Sequence, residues 1–281
     1  MRLAEEQHFI THDGTTLFYR YWPPVGSARP ERALLLLHRG HEHSGRLQHV
    51  VDELRLDDFA MFAWDARGHG RSPGQRGDSP SFSALVKDVD CFVRHVSERH
   101  AIAANQLAVI GQSVGAVLAA TWVHDYAPQI RCMVLTAPAF QVKLYVPMAR
   151  PGLALLQRLF GNFFITSYVK AKFLTQDAQR VRSYDEDPLI TRAISARVLL
   201  GLYDAADRVV ADAPAIRLPL QLLISEKDWV VHRAPQDRFF ERLGSPVKER
   251  HLLPGFLHDT LGERDRQLAI DRMRAFIERL F

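Results

Sequence analysis

The chain has 281 residues, 47% of them hydrophobic, and a net charge of +4 at neutral pH. That composition supplies a sizeable core and excludes a disordered or collagen-like chain. Acids and bases alternate along most of the length with no basic stripe interleaved by aromatics, so no nucleic-acid partner is expected.

Taken in chain order, the opening MRLAEEQHFITHDG has acids where a secretory leader has an apolar core. No later run approaches the length of a membrane span, and a soluble, cytoplasmic protein is expected. HFITHDGTTLFYRYW reads as two strands joined at a tight turn on Asp13-Gly14. RALLLLH, FAMFAWD, QLAVIGQ, CMVLTAP and LPLQLLIS are short unbroken apolar runs, the pattern of strands buried on both faces. Between them, SFSALVKDVDCFVRHV sets Phe82, Leu85, Val86, Val89, Val93 and Val96 at helix spacing, and SVGAVLAATWVHDY does the same from Val114 to Trp122. The tail DRQLAIDRMRAFIERLF gathers Ala269, Met273, Phe276, Ile277 and Leu280 on one face. Cys91 and Cys132 sit among apolar residues; two cysteines exclude a disulfide framework and read as buried free thiols. Strand and helix alternate, which predicts an α/β fold with a mostly parallel sheet and helices on both faces.

The alternation breaks between about 141 and 211. Helix-like pieces there are split by Pro147, Pro151, Gly161 and Pro188, with no clear buried strand. Residues 141–176 carry Lys143, Arg150, Arg158, Lys170 and Lys172 and no acid. Long excursions from compact α/β domains usually carry function. Residues 141–211 are therefore expected to be a helical cap over a core made of 1–140 and 212–281.

Two stretches carry chemistry. LLLLHRGHEHSGR places His38, His41 and His43 just past a strand, which fits either a metal site or the edge of an active site. VIGQSVGA places Gly111, Gln112, Ser113, Val114 and Gly115 between a buried strand and a helix, the G-x-S-x-G pattern in its informative context. Bulk at either glycine would meet the neighbouring strand and helix, and the tight turn lifts the serine hydroxyl out of the sheet. The helix amino end then offers N–H groups to developing negative charge. A serine nucleophile needs a base and the base an orienting acid, in the chain order serine, acid, histidine. Asp228 follows the strand LPLQLLIS and His258 follows the last strand; Glu226, His232 and His251 are the competitors. Glu226 sits nearer the strand, His251 falls inside a strand and His232 precedes a helix.

With these residues in hand, the chain resembles an α/β-hydrolase, and more narrowly the monoacylglycerol lipase and lysophospholipase group. HRGHEHSGR resembles that group's H-G-x-G-E-H-S-G-R segment, and WDARGHGRSPGQRG its D-x-R-G-H-G-x-S-x-G-x-R-G segment. GQSVGA, SEKDWVV and GFLHDTLGE fall at its nucleophile, acid and histidine positions. The resemblance implies an eight-stranded, mostly parallel sheet with a helical cap inserted after the sixth strand. It implies catalysis by Ser113, Asp228 and His258, no cofactor, and an oxyanion hole formed by the Gly40 and Val114 N–H groups. His38 and His43 then become structural members of an oxyanion loop. The H-x-H-x-D-H spacing of zinc hydrolases is not met, and no metal is expected.

Three positions depart from that pattern. Arg39 and His41 stand where the group has glycine, and Gln112 where it has histidine. Arg39 and His41 are candidates for substrate contact through a polar or anionic group; the alternative is that both face solvent. Asp65, Arg67 and His69 read as a structural loop, and Glu42 and Arg46 as a pair at a helix start. The expected activity is hydrolysis of monoacylglycerol- or lysophospholipid-type esters, with the basic cap touching anionic membrane surfaces. Alternatives are an acyltransferase, thioesterase, peptidase or short-chain carboxylesterase on the same triad, or a non-catalytic ligand-binding protein. Some bacterial proteins with an H-R-G-H-E-H-S-G-R segment look to be joined to a methyltransferase domain, and these 281 residues contain none.

Overall fold

The computed structural model describes residues 1–26 and 30–281. In chain order the first half runs β1 (Glu5–Ile10), β2 (Thr16–Trp22), β3 (Arg32–Leu37), α1 (Gln48–Leu54), β4 (Phe59–Trp64), α2 (Phe82–His100), β5 (Leu107–Gln112), α3 (Val114–Tyr126) and β6 (Cys132–Thr136). The second half runs α4 (Ala149–Phe160), β7 (Phe164–Thr166), α5 (Ala178–Asp185), β8 (Ala193–Ser195), α6 (Ala196–Ala211), β9 (Leu220–Ser225), α7 (Arg233–Arg242), β10 (Lys248–Leu253) and α8 (Gln267–Leu280).

Eight strands form one sheet in the order β1-β2-β4-β3-β5-β6-β9-β10. β1 pairs with β2, and β2 with β4, antiparallel; every other neighbour pair is parallel. The unbroken apolar runs occupy the middle because helices cover both faces there: β4, β5, β6 and β9 are buried along their whole length. One face packs against α2, α3 and α6, the other against α1 and α8. β10 closes the parallel edge and alternates, with Glu249 and His251 half-buried. The β1–β2 turn is a five-residue loop, Thr11 to Thr15, in which Gly14 takes φ +82° and Asp13 Oδ1 accepts from Thr15 N at 3.1 Å.

Between β6 and β9 lies the excursion. It is not all helix: β7 and β8 pair antiparallel as a separate two-stranded sheet, Phe164 against Ser195 and Thr166 against Ala193. Three-residue strands of half-buried residues leave no apolar run to read in sequence. α6 buries one face on α2 and α3, so the last stretch of the excursion also belongs to the packing of the sheet. α4 has no buried residue. The chain enters the excursion beside the β9–α7 loop. Lys143 N donates to Val230 O at 2.8 Å and His232 N to Gln141 O at 2.8 Å, a short antiparallel strap.

Candidate active site

Ser113 sits between β5 and α3 at φ 55°, ψ −112°, a strained backbone for a residue with a side chain. Its neighbours show why the flanking positions are glycine. A Cβ on Gly111 would stand 2.6 Å from Gly115 O and 2.7 Å from Ala116 Cα. A Cβ on Gly115 would stand 2.4 Å from Leu37 O and 2.5 Å from His38 O. The elbow is thus wedged between its own helix and the end of β3. Ser113 N donates to Thr136 O at 2.9 Å, which ties it to β6 as well.

His258, in the loop after β10, brings Nε2 to 2.7 Å from Ser113 Oγ. Its Nδ1 is 2.7 Å from Asp228 Oδ2, in the loop after β9. Asp228 Oδ1 accepts from Val230 N at 2.7 Å and Val231 N at 3.0 Å. Burial alone would raise the Asp228 pKa; the adjacent His258 charge, its hydrogen bond and the two N–H donors outweigh that and hold the carboxyl below its ordinary value. Lys143 Nζ donates to the Asp228 backbone oxygen at 2.6 Å, and Tyr145 Oη to Trp229 O at 2.6 Å, so the strap grips the acid's loop. Glu226 lies elsewhere, exposed, accepting from Gly255 N at 2.9 Å. His232 caps α7 in solvent, and His251 lies in β10 beside Glu249.

Gly40 packs on Val114: a Cβ on Gly40 would lie 3.1 Å from Val114 Cγ2. Val114 opens α3, so its N–H has no partner within the helix. Gly40 N donates to no group among the described residues. His38 orients that amide. Ala66 N donates to His38 Nε2 at 3.0 Å, which leaves the proton on Nδ1, 2.7 Å from Arg39 O. The Arg39 carbonyl and the Gly40 N–H share one peptide plane. His43 is held apart from His38, between Asp187 Oδ2 at 3.0 Å and Gly45 N at 3.2 Å.

Arg39 does not face solvent. It is 3% exposed and grips Glu42 with both Nε and Nη2, at 2.8 and 2.7 Å. Glu42 also takes Arg46 Nε at 2.6 Å, so the pair expected at a helix start is one half of a larger network. His41 takes φ 72° where the resembled pattern has glycine, and is half-buried at the cavity wall. Asp65 accepts from Ser44 N and Arg71 N, and Arg67 makes two bonds to Asp88, so both pin loops outside the reacting groups.

Ser113, His258, Gly40 and Val114 are among the residues lining a cavity of about 760 Å³. The remainder of its wall is mostly apolar and comes largely from the excursion, including Leu144, Leu153, Leu156 and Ile165, with Leu199 and Leu202 from α6. Sequence reading missed Asp259, buried next to His258, Lys143 at the Asp228 loop, and Tyr168, which lines the cavity and donates from Oη to Lys143 O at 2.5 Å. Asp259 had a signal, an acid directly following His258 in the sequence; Lys143 and Tyr168 had none beyond their place in the excursion.

A sheet of this order with a strained serine at the end of β5 and the histidine and acid delivered by the last two parallel strands defines an α/β-hydrolase. A profile of the serine aminopeptidase S33 family matches residues 28–265, and the chain belongs to that family. An uncharacterized Escherichia coli K12 protein, YnbC, is 58% identical over 280 residues, covering all of this chain and 48% of the relative; this chain thus spans about half of that relative's length. The monoacylglycerol lipase of Mycolicibacterium smegmatis is 26% identical over 97% of this chain and 96% of its own. Human monoglyceride lipase is 29% identical over 79% of this chain and 72% of its own. A soluble variant of the Saccharomyces cerevisiae monoglyceride lipase, solved with a substrate analog, matches in fold with a TM-score of 0.87 at 19% identity, over 99% of this chain and 96% of that one. The chain is thus similar to monoglyceride lipases over most of its length. Among the described residues no helix is long and apolar enough to cross a membrane.

Proposed function

We propose that this chain hydrolyses carboxylic esters of the monoacylglycerol or lysophospholipid type through an acyl-enzyme on Ser113. The observation that carries the substrate class is the cavity: the Ser113–His258 pair opens into about 760 Å³ walled mainly by aliphatic side chains, suited to an acyl chain. Ser113 Oγ attacks the ester carbonyl as His258 Nε2 takes its proton. Asp228 keeps the imidazole in the Nδ1–H tautomer and stabilises the imidazolium. The Gly40 and Val114 N–H groups receive the oxyanion, each such donor being worth about 2.7–4 kcal/mol of barrier. His258 returns the proton to the leaving alcohol, and water repeats the sequence on the acyl-enzyme.

Residues 141–211 are the lid in this reading, with the strap on the Asp228 loop as its anchored end. Lid contact with anionic membranes is part of the same proposal. α4 turns Leu155, Leu159 and Phe160 outward, the last 77% exposed. The basic residues counted in sequence do not all contribute: Lys143 is engaged at Asp228, and Arg150 pairs with Asp204 and Asp207 of α6. Arg158, Lys170 and Lys172 stay exposed and form no ion pair among the described residues. An aminopeptidase activity is disfavoured because no carboxylate among the described residues lines the cavity to meet a free amine.

Initial rates on nitrophenyl esters of rising chain length, with Ser113→Ala beside the wild type, test the reading. Medium- or long-chain preference and loss of turnover in the variant are expected. Turnover that survives in Ser113→Ala would sink the serine mechanism, and a strict acetate preference would sink the lipid-type substrate.

A further inference from the structure

We propose that Arg39, Gln112 and Asp259 form one buried positioning unit that holds the Gly40 amide, the Ser113 hydroxyl and the His258 imidazole in register. The inference rests on the serine-hydrolase reading of the site. Each of the three is the chain neighbour of a reacting group: Arg39 precedes Gly40, Gln112 precedes Ser113, and Asp259 follows His258. They arrive from the loop after β3, the end of β5 and the loop after β10, and all are buried.

Gln112 Nε2 donates to Asp259 Oδ1 at 2.9 Å, a direct bond between the neighbours of nucleophile and base. Gly262 N donates to the same oxygen at 3.1 Å. Asp259 Oδ2 lies 3.6 Å from the Arg39 guanidinium and 3.6 Å from that of Arg180 in α5, and accepts no hydrogen bond of its own. Arg39 is in turn clamped by Glu42, and Glu42 by Arg46, with the Tyr184 ring 5.2 Å from one guanidinium carbon and 5.6 Å from the other. The site is fitted to the carboxylate: a Cβ on Gly262 would fall 2.1 Å from Asp259 Oδ2.

Stability alone does not account for this arrangement. Buried ion networks are often no better than apolar packing of the same volume, and each lone charge is costly once its partner is gone. What directional partners add is a fixed relative position of the segments that carry them. Sliding the His258 loop against the elbow breaks the Gln112–Asp259 bond, and tilting the oxyanion loop takes Arg39 away from Asp259. Two members, Arg39 and Gln112, are also positions where the chain departs from the pattern it resembles. A glycine at 39 would give Asp259 no cation on that side, so these residues belong together as a set.

The test is the rate at which a fluorophosphonate probe labels Ser113, which reads acylation whatever the natural substrate. Asp259→Asn keeps the shape and removes the charge. Arg39→Gly removes the facing cation. Gln112→Leu cuts the hydrogen bond while leaving every charge in place, and serves if Asp259→Asn fails to fold by its unfolding midpoint. Each single variant is expected to slow labelling at least tenfold. In ester turnover, Asp259→Asn and Gln112→Leu should lower kcat with KM within about twofold. The Arg39→Gly, Asp259→Asn double variant should lose less than the product of the two single losses. Wild-type labelling rates in the single variants, or losses that simply multiply in the double, overturn the proposal. If the wild type itself does not label, the serine-hydrolase reading fails. The unit is then decided by the downfield proton resonance of the His258 Nδ1–H bond to Asp228. A shift in both Asp259→Asn and Gln112→Leu supports it, and an unmoved resonance overturns it.

Discussion

Replacing Gly115 by alanine adds one methyl group at the point where α3 meets the end of β3. That methyl would sit 2.4 Å from Leu37 O and 2.5 Å from His38 O, both backbone atoms with no freedom to rotate away. Restoring ordinary contact requires the first turn of α3 to retreat by about 1 Å. Overpacking of this kind costs about 1–3 kcal/mol, or roughly 2–10 °C of unfolding midpoint in a chain of this size. The larger effect falls on the chemistry. The same turn carries Ser113 and the Val114 amide, and a displacement of about 1 Å can cost 10²-fold in rate. Gly152 is the internal control: it lies in α4, with nothing within 4 Å of its Cβ position and no positive φ. Gly152→Ala should add a few tenths to about 1 kcal/mol of stability, the opposite sign to Gly115→Ala. The assay is nitrophenyl ester turnover with thermal unfolding on both variants. A Gly115→Ala enzyme with wild-type rate and midpoint would refute the steric account of the elbow.

Asp228→Asn should preserve the fold and lower kcat by about 10³–10⁴, because an amide cannot hold His258 in the Nδ1–H tautomer or stabilise its cation; a loss below tenfold would count against Asp228 as the orienting acid. Stability should fall in mild acid. Burial, with His38 nearby, pushes His69 down to about 3, and burial, with the Arg39 charge, pushes His41 down to about 4. Both are below the unfolded value of about 6.5, so the unfolded chain binds more protons as pH drops below about 6.5. Their stabilisation is complete above that pH and is lost at up to about 1.4 kcal/mol per pH unit for each histidine as pH falls toward 4. Urea midpoints at pH 7, 6 and 5 should drop and the drop should flatten in His69→Asn; equal slopes would remove the assignment. In α4, Leu159→Asp with Phe160→Asp should weaken binding to anionic vesicles by at least about 100-fold, since burying each side chain is worth roughly 1.5–3 kcal/mol. Turnover of a soluble short-chain ester should persist, as neither residue lines the cavity; undiminished vesicle binding would count against α4 as the contact.

Local pattern alone carried much of this protein. The strands of the central sheet were legible because burial on both faces demands unbroken apolar runs, as in LAVIGQ and CMVLT. The elbow was legible because a strained serine between two glycines is a local requirement of the backbone, met within five residues. The β7–β8 pair was not, since three half-buried residues per strand leave no periodicity, and neither was the packing of α6 on α2 and α3. The fate of Arg39 was decided by tertiary structure as well. Sequence offered substrate or solvent for its guanidinium; the fold keeps Arg39 at the cavity wall and adds Glu42 and Asp259, the latter 220 positions away. Charge is read from sequence without its partner, so the basic count of the excursion overstated what is exposed: Arg150 meets Asp204 and Asp207 only once α6 is laid alongside. Backbone conformation and burial are imposed by near neighbours and so are written locally. Which charge meets which, and which loops are thereby held together, depends on distant segments arriving at the same place, and only the folded chain determines it.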